Sequence, residues 1–419
     1  MSLFLMRNTV QNYAWGSSTG IPNVTGMENR EGVPMAELWM GAHPRSSSLV
    51  KTNGQWLPLV SLITEDPRYF LGEYAAEKFG AQLPFLFKIL SAAQPLSIQA
   101  HPNLEQAREG YRRENDEGIP LDAEVRNYKD QNHKPELIHP LTEFWALRGF
   151  RPLTELAEEF GEAAFPVLGD AAAFLNLGEP EGLRRFFSTL MTLSRHDTRE
   201  LVRQAVAFAA RKRPAGRAHE SCGPEAYAAP RYYWVVETSR TFPDDIGIVA
   251  PLYLNCLHLQ PGEGMYLGAG VLHAYLLGTG IEIMANSDNV LRGGCTVKHV
   301  DVPELLSVLR FAGETPVLMS PTAVLSEQAC REDRFHTPCE EFELSRLTLN
   351  AEPGHNVCRS DSPEILLCID GEIRLTEGGS EVTIRRGESY FVPAGVPSYV
   401  MSGTGLLFRA GVPAGDRSA

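Results

Sequence analysis

Gln99 and His101 stand two residues apart in the run Gln94-Pro-Leu-Ser-Ile-Gln-Ala-His-Pro-Asn103, which reads as a strand. Alternate residues on a strand share a face, so the amide and the imidazole point into one space while Leu96, Ile98 and Ala100 face the other way. Two such heads on one face are ready-made ligands, and a metal ion is the first chemistry they suggest. The structural alternative is a strand-end histidine whose ring is satisfied by a backbone carbonyl. Asn132-His-Lys-Pro-Glu-Leu-Ile-His139 gathers a second set of functional side chains beside a proline, which holds the residue before it extended. Lys88 is a single charge inside the apolar run Leu83-Pro-Phe-Leu-Phe-Lys-Ile-Leu90. A buried ammonium is costly unless it is used or paired, and snorkelling from a strand end is the plain alternative.

The elements that must position these residues are mostly short strands. From Asn8 to Val60 the chain is rich in Gly, Pro, Ser and Trp, with pieces such as Ala36-Glu-Leu-Trp-Met-Gly41 that suggest strands and loops. Helices are expected over Tyr69–Phe79 and Leu104–Glu114. Between Pro152 and Val249 helical periodicity takes over, as in Leu183, Phe186, Phe187 and Leu190. Asp197-Thr-Arg-Glu200 reads as a capping-box start for a helix whose Leu201, Ala205 and Phe208 form one apolar stripe, which is core. Strand texture returns at Pro251 and, after a short helical stretch over Val302–Leu309, fills Phe335 to Val412. Many short strands punctuated by Gly and Pro indicate a sandwich or jelly roll, not a parallel sheet.

A chain of 419 residues and 46.3 kDa can bury a large core and should hold two or three domains. Its 38 Lys+Arg against 52 Asp+Glu, a formal net charge of -14, argue against nucleic acid or an anionic membrane surface as partner. An anionic substrate would need a local basic pocket. Cys222, Cys256, Cys295, Cys330, Cys339, Cys358 and Cys368 form neither a CxxC pair nor an even framework, so no disulfide scaffold or cysteine zinc site is indicated and a reducing cytoplasm fits. The first apolar run is too short for a signal peptide and no stretch is long enough to span a bilayer. A soluble, cytoplasmic monomer acting on a small molecule is expected.

Gly262-Glu-Gly-Met-Tyr-Leu-Gly-Ala-Gly-Val-Leu-His273 aligns without gaps on Gly387-Glu-Ser-Tyr-Phe-Val-Pro-Ala-Gly-Val-Pro-Ser398, which implies two copies of one β-barrel unit. The shared pattern, ending in histidine in the first copy, resembles the second motif of cupins, small jelly-roll barrels whose metal histidines point inward. If the first copy is a cupin, His273 is its late ligand, Gln99 and His101 supply the pair facing it, and Glu136 completes four. Two imidazoles, a carboxylate and an amide oxygen suit Zn²⁺, though iron, manganese or cobalt could occupy such a set. The second copy has Ser398 in place of the histidine, and no imidazole in its earlier strand Pro363-Glu-Ile-Leu-Leu-Cys-Ile-Asp370. Its interior is expected to be filled by apolar side chains and to hold no metal.

Gln-Ala-His-Pro-Asn, His-Lys-Pro-Glu, Gly-Val-Leu-His-Ala-Tyr and Met284-Ala-Asn-Ser-Asp-Asn-Val-Leu-Arg-Gly-Gly294, with Tyr13-Ala-Trp-Gly16 and Glu37-Leu-Trp-Met-Gly41, resemble the type I mannose-6-phosphate isomerases over nearly the whole chain. The resemblance implies a mainly β fold: a catalytic cupin over 1–151 with 250–315, an all-α insert over 152–249 and a metal-free cupin over 316–419. It implies one Zn²⁺ per chain on Gln99, His101, Glu136 and His273, with Arg292 as the active-site arginine. The reaction moves a proton between adjacent carbons of mannose 6-phosphate and fructose 6-phosphate through an enediol. Lys134 or His133, beside Glu136, could shuttle that proton, and Arg292 could hold phosphate or enediolate by its planar fork. Lys88 and Ser97 lie where phosphate or hydroxyl contacts are expected, with Tyr275, Glu282 and Asp288 as further lining. The plainer alternatives pair Glu282 or Asp288 with Arg292 and leave Tyr275, Trp39, His43, His139, His258 and His299 structural. The competing functions are a cupin dioxygenase, which needs a redox metal, and a non-catalytic sugar-binding cupin.

Overall fold

Two large antiparallel sheets carry the strands of the computed structural model, which describes residues 2–212, 227–327, 329–350, 356–358 and 362–413. The first has the path Leu254–Leu259, Phe144–Phe150, His273–Ala285, Phe85–Ala92, Glu37–Gly41, Thr9–Gln11, with Ile98–Ala100, Glu136–Pro140, Met265–Leu267 and Leu291–Gly294 attached beside it. Its hub is His273–Ala285. The early half of that strand pairs with Phe144–Phe150 and Ile98–Ala100, the late half with Phe85–Ala92 and Glu136–Pro140. The turn-over between halves falls near a register shift at Tyr275/Leu277 and at Gly278, whose φ is +123° and where a Cβ would lie 2.5 Å from the Glu143 carbonyl. Only glycine fits there.

Period-2 alternation decides which way each strand's side chains go. Phe85, Phe87 and Ile89 join Ile281, Ile283, Phe4, Phe335, Ile365, Phe391 and Phe408 in a core between the two sheets. Leu86, Lys88 and Leu90 face the opposite way, the side on which Ile138, Phe144, Met265, Leu267 and Tyr275 form a separate buried cluster with Leu90. Lys88 is therefore turned to that side and is 5% exposed, so it is no snorkelling side chain.

The second sheet runs Thr322–Ser326, Cys330–Phe335, Glu343–Asn350, Tyr399–Gly411, Glu364–Glu377, Ser389–Val392, Phe4–Arg7, Leu49–Thr52, Gln55–Pro58. Phe4 thus pairs with Phe391, and Met6 with Val50 on the strand's other side. The two repeat copies fold alike. Gly262 (φ +105°) and Gly387 (φ +82°) turn the chain, and the following glutamate folds back in each, Glu263 accepting from the Gln260 amide at 2.7 Å and Glu388 from the Arg385 amide at 2.8 Å. Short strands Met265–Leu267 and Ser389–Val392 follow.

Between Phe144–Phe150 and Leu254–Leu259 the described chain is helical, with Leu153–Ala163, Glu181–Met191, Arg195–Lys212 and Pro230–Thr241 as its longer α-helices. Leu183, Phe186, Phe187, Leu190, Leu201, Ala205 and Phe208 are all buried, in one core with Trp145, Leu147, Phe150, Ile98, Ala100 and Leu291. The helices therefore back the strands that carry Gln99 and Arg292. The capping box over 197–200 is not what starts its helix. Ser194 accepts from the Asp197 amide at 3.1 Å, the helix begins at Arg195, and Glu200 instead pairs with Arg203. A serine three residues before an aspartate is a capping signal of the same kind, three residues earlier in the sequence. The helices over Pro67–Phe79 and Leu104–Asp116 match expectation, the second closed by a capping box between Asn103 and Gln106.

Among the described residues no helix is long and apolar enough to cross a membrane. Cys295, Cys330, Cys339 and Cys368 are free thiols. Cys222 and the side chain of Cys358 lie outside the described residues.

Candidate metal centre and active site

Register brings the expected ligands together. Gln99 pairs with His273 on one side and Arg292 on the other, and directly opposed residues in an antiparallel pair share a face. His101 lies two residues on, just past the end of Ile98–Ala100, and keeps that face. Glu136 enters from the strand Glu136–Pro140, between the late half of the hub strand and Met265–Leu267, opposite Met284 and Leu267. His101, Glu136 and His273, all at most 2% exposed, bring one ligand atom each to within 4.8 Å of the others. Both histidine Nε2 atoms stand 3.3 Å from a Glu136 oxygen.

The protonation of this cluster follows from its outer contacts. His101 Nδ1 lies 2.8 Å from the Asn289 carbonyl and His273 Nδ1 lies 2.9 Å from the Val271 carbonyl. A carbonyl only accepts, so each Nδ1 carries the proton and donates it, which turns the bare Nε2 of a neutral ring inward. Burial pushes the His101 imidazole down to about 4, against the pull of Glu136, so that ring is neutral. Burial alone would raise the Glu136 carboxyl, yet the Lys134 ammonium beside it holds it well below the ordinary range. His101 Nε2, His273 Nε2 and Glu136 Oε2 are left with no hydrogen-bond partner. Two lone pairs converging on an anion in a buried space call for a cation, and the donor set fits a borderline divalent metal. The backbone-satisfied histidine is thus not an alternative to the ligand: one ring nitrogen does each.

Lys134 and His133 part company. Lys134 Nζ is 3.1 Å from Glu136 Oε1, at the centre. His133 Nε2 is 2.6 Å from Glu341 Oε1, committed to a carboxylate 208 residues away. Lys88 is held by two carboxylates, Glu282 at 2.9 Å and Glu37 at 3.6 Å, with the Trp39 ring 5.5 Å from its ammonium. Burial favours its neutral form, but Glu282 and Glu37 more than offset this and raise its pKa. The Glu282 carboxyl is raised, by burial first, in spite of Lys88. Trp39 donates to Glu37 at 2.7 Å and Tyr275 to Glu282 at 2.9 Å, so both aromatic residues belong to this polar row and are not simply core. Glu37 opens one of the motifs that carry the resemblance, yet nothing in the sequence assigns it a role at the site.

Glu282 and Asp288 do not pair with Arg292. Asp288 is taken by Arg45 at 2.7 Å and by His43 at 3.5 Å. Among the described residues the Arg292 guanidinium makes no ion pair, and burial lowers its pKa. Lys298, which no sequence motif marks, shares its surroundings: partial desolvation and then the charges of Arg292, Lys129 and Arg45 pull its pKa down. Ser97 is half-buried in the chain entering Ile98–Ala100. His139 packs between Phe335 and Phe408, His258 stacks on Trp145, and His299 is exposed, all three apart from the ligand cluster.

The second copy has an apolar interior built from Leu347, Leu366, Cys368, Leu375, Val392, Met401 and Leu407, as expected, and Ser398 is exposed. The expectation of an interior without polar groups needs correction at one end. Glu364 pairs in register with Val392, as Glu136 does with Leu267, and Leu267 and Val392 are matching positions of the repeat. The carboxylate is retained there, with Tyr399 donating to it at 2.7 Å and the Arg409 guanidinium 3.7 Å away. A fixed side-chain cation stands near the carboxylate whose counterpart, Glu136, faces two imidazoles.

A mainly β protein with a repeated turn-and-strand motif and an inward His/Glu/His cluster belongs to the class of cupin-type metalloproteins. The type I phosphomannose isomerase catalytic domain matches residues 3–153, and the mannose-6-phosphate isomerase cupin domain matches residues 331–412. Mannose-6-phosphate isomerase of Escherichia coli K12 is 40% identical over 96% of this chain and 97% of its own length. An enzyme of the same name from Arabidopsis thaliana is 33% identical over 97% and 93%. A zinc-bound crystal structure of mannose 6-phosphate isomerase superposes with a TM-score of 0.86 at 38% identity, covering 99% of this chain and 100% of that one. A variant phosphomannose isomerase from Salmonella typhimurium gives 0.88 at the same identity and coverage. The chain belongs to the type I mannose-6-phosphate isomerase family.

Proposed function

We propose that this chain interconverts mannose 6-phosphate and fructose 6-phosphate, with Zn²⁺ held by His101, Glu136, His273 and the Gln99 amide oxygen. The observation that carries this reading is the set of three unpartnered donor atoms, from His101, Glu136 and His273, that converge on one buried point. Zinc bound there supplies a redox-inert positive charge for the oxygens on which enediol charge develops. The chain's own groups do the rest. Lys134, aimed at the centre, is favoured over His133 as the group that takes the proton from one carbon and returns it to its neighbour. Arg292, whose guanidinium makes no ion pair among the described residues, binds the substrate's anionic end or the developing enediolate.

Lys88 is better read as the counter-ion that keeps Glu282 and Glu37 in place than as a phosphate contact, because its charge is already matched by two buried carboxylates. The phosphate is assigned to the Arg292 and Lys298 neighbourhood, where several positive charges crowd together. Ser97, Tyr275, Glu282 and Asp288 line the sugar side. The two sheets are read as two cupin jelly rolls, the second metal-free, with 152–249 as an all-α insert and Phe4–Arg7 crossing between the units. The protein is proposed to act as a cytoplasmic monomer on a small molecule.

The test is conversion of mannose 6-phosphate by purified protein, by the same protein after chelation, and after zinc is restored. Activity should vanish and return, and His273→Ala should lose both zinc and turnover. Full activity in chelated protein with no residual metal would sink the reading.

A further inference from the structure

Outside the ligands themselves, the densest hydrogen bonding near the centre converges on Asn289, which is 0% exposed and which neither the composition nor the motif spacing marks as more than loop. Its carbonyl accepts the His101 Nδ1 proton at 2.8 Å. Its side-chain Oδ1 accepts from the Lys129 amide at 2.7 Å and the Asp130 amide at 3.2 Å. Its Nδ2 donates to the Asp130 and Asn132 carbonyls, both at 2.9 Å. All four side-chain valences are therefore used, and all point at residues 129–132, the segment that runs directly into Lys134 and Glu136. Ser287 braces the same knot, donating to Asp130 Oδ1 at 2.8 Å and accepting from the Asn289 amide at 3.2 Å. Three residues further on is Arg292.

We propose that Asn289 is a positioning residue which fixes, through one side chain and one carbonyl, the ring of a metal ligand and the run-in to both Lys134 and Glu136. Metal affinity and turnover are coupled through it. This rests on the zinc-centre reading. The amide is required for its chemistry: Asp in its place would aim acceptor oxygens at two carbonyls, and Ala would leave two amides and two carbonyls without their buried partner. The carbonyl that accepts from His101 is main chain and survives substitution, so the variants displace this contact without deleting it; deleting an outer contact of a metal-binding histidine changes affinity by about 10–100-fold, and the lower end applies here.

Apoprotein of wild type, Asn289→Ala and Asn289→Asp is titrated with zinc against a competing chelating dye, and kcat, KM and the thermal midpoint of the apoprotein are measured alongside. Zinc affinity should fall about 10-fold in both variants, the lower end of the range for such outer contacts, with kcat falling further than KM rises. Ser287→Ala, which removes the bracing hydroxyl but leaves the Asn289 side-chain contacts, should shift both in the same direction by less, and it carries the test if the Asn289 variants do not fold. Zinc affinity and kcat at wild-type values in variants whose thermal midpoint alone has dropped would overturn the proposal and leave Asn289 a purely structural residue. Failure of the zinc-centre reading looks different, since wild-type apoprotein would then take up no zinc, and the proposal would fall with it.

Discussion

Replacing Lys88 by methionine keeps most of the side-chain volume and deletes the charge between Glu282 at 2.9 Å and Glu37 at 3.6 Å. Removing one partner of a buried ion pair costs about 3–5 kcal/mol, because the other charge is left without a counter-ion. Two carboxylates are stranded here, and the Trp39 ring is deprived of the ammonium beside it, so the upper part of that range is expected at pH 8. The pH dependence follows from Glu282, whose carboxyl is already raised by burial. Without Lys88 it rises further, so the folded state holds a proton that the unfolded state has released, and stability falls as pH rises. The defect of Lys88→Met should therefore be largest at pH 8 and smaller at pH 5. Urea unfolding at both values reads this directly, and Lys88→Met combined with Glu282→Gln should recover more than half of the loss. A variant unfolding within about 0.5 kcal/mol of wild type at pH 8, the size of an ordinary surface effect, with only KM raised, would refute the counter-ion role and restore the phosphate contact expected from sequence.

Arg292→Ala should lower kcat/KM by about 10²-fold, the scale of charge-assisted hydrogen bonds to substrate, while zinc content by elemental analysis stays at the wild-type value. Lys134→Met should lower kcat by about 10²–10⁴-fold, the range for general acid–base groups, whereas His133→Gln should leave kcat far less affected; equal losses in steady-state assays would reverse the choice between them. His139 is held down to about 4 by burial, from an ordinary 6.5, despite the hydrogen bond it donates to the Glu263 carbonyl. Its contribution is fully present above pH 6.5 and is lost as pH falls from there towards 4, because the unfolded chain takes up the proton first; about 3 kcal/mol is at stake. His139→Gln should flatten that part of the denaturation profile.

Features legible in the sequence have a short range or a regular period. Gln99 and His101 share a face because strands alternate, and the stripe through Leu201, Ala205 and Phe208 is core because helices repeat every three to four residues. The likeness of the two glycine-turn copies reaches down to the glutamate that folds back in each, Glu263 and Glu388. Features that stay hidden depend on partners far away in the chain. Lys88 is bonded across 194 residues to Glu282, and His133 across 208 to Glu341, so neither role can be read from its neighbours. Asn289 looks like loop because its four side-chain partners lie near residue 130. Glu364 escapes notice because imidazole is the sequence sign of a cupin metal site, whereas the group retained in the second copy is the carboxylate.

The strand Phe4–Arg7 lies between Ser389–Val392 and Leu49–Thr52, so one of its edges finds a partner early and the other only near the far end of the chain. At about 5–20 residues per second of synthesis, the interval before Phe391 can meet Phe4 is on the order of 20–80 s. Throughout that time an apolar strand whose Phe4 and Met6 are destined for the core between the sheets presents an open backbone edge to whatever else is nearby. Substitutions in Phe4–Arg7 would accordingly be felt first in the yield of folded chain leaving the ribosome, before the finished protein shows any loss of resistance to heat or urea. One of the last strands to be made closes the first, and the chain's most exposed moment is set by the order of its strands and not by the strength of its core.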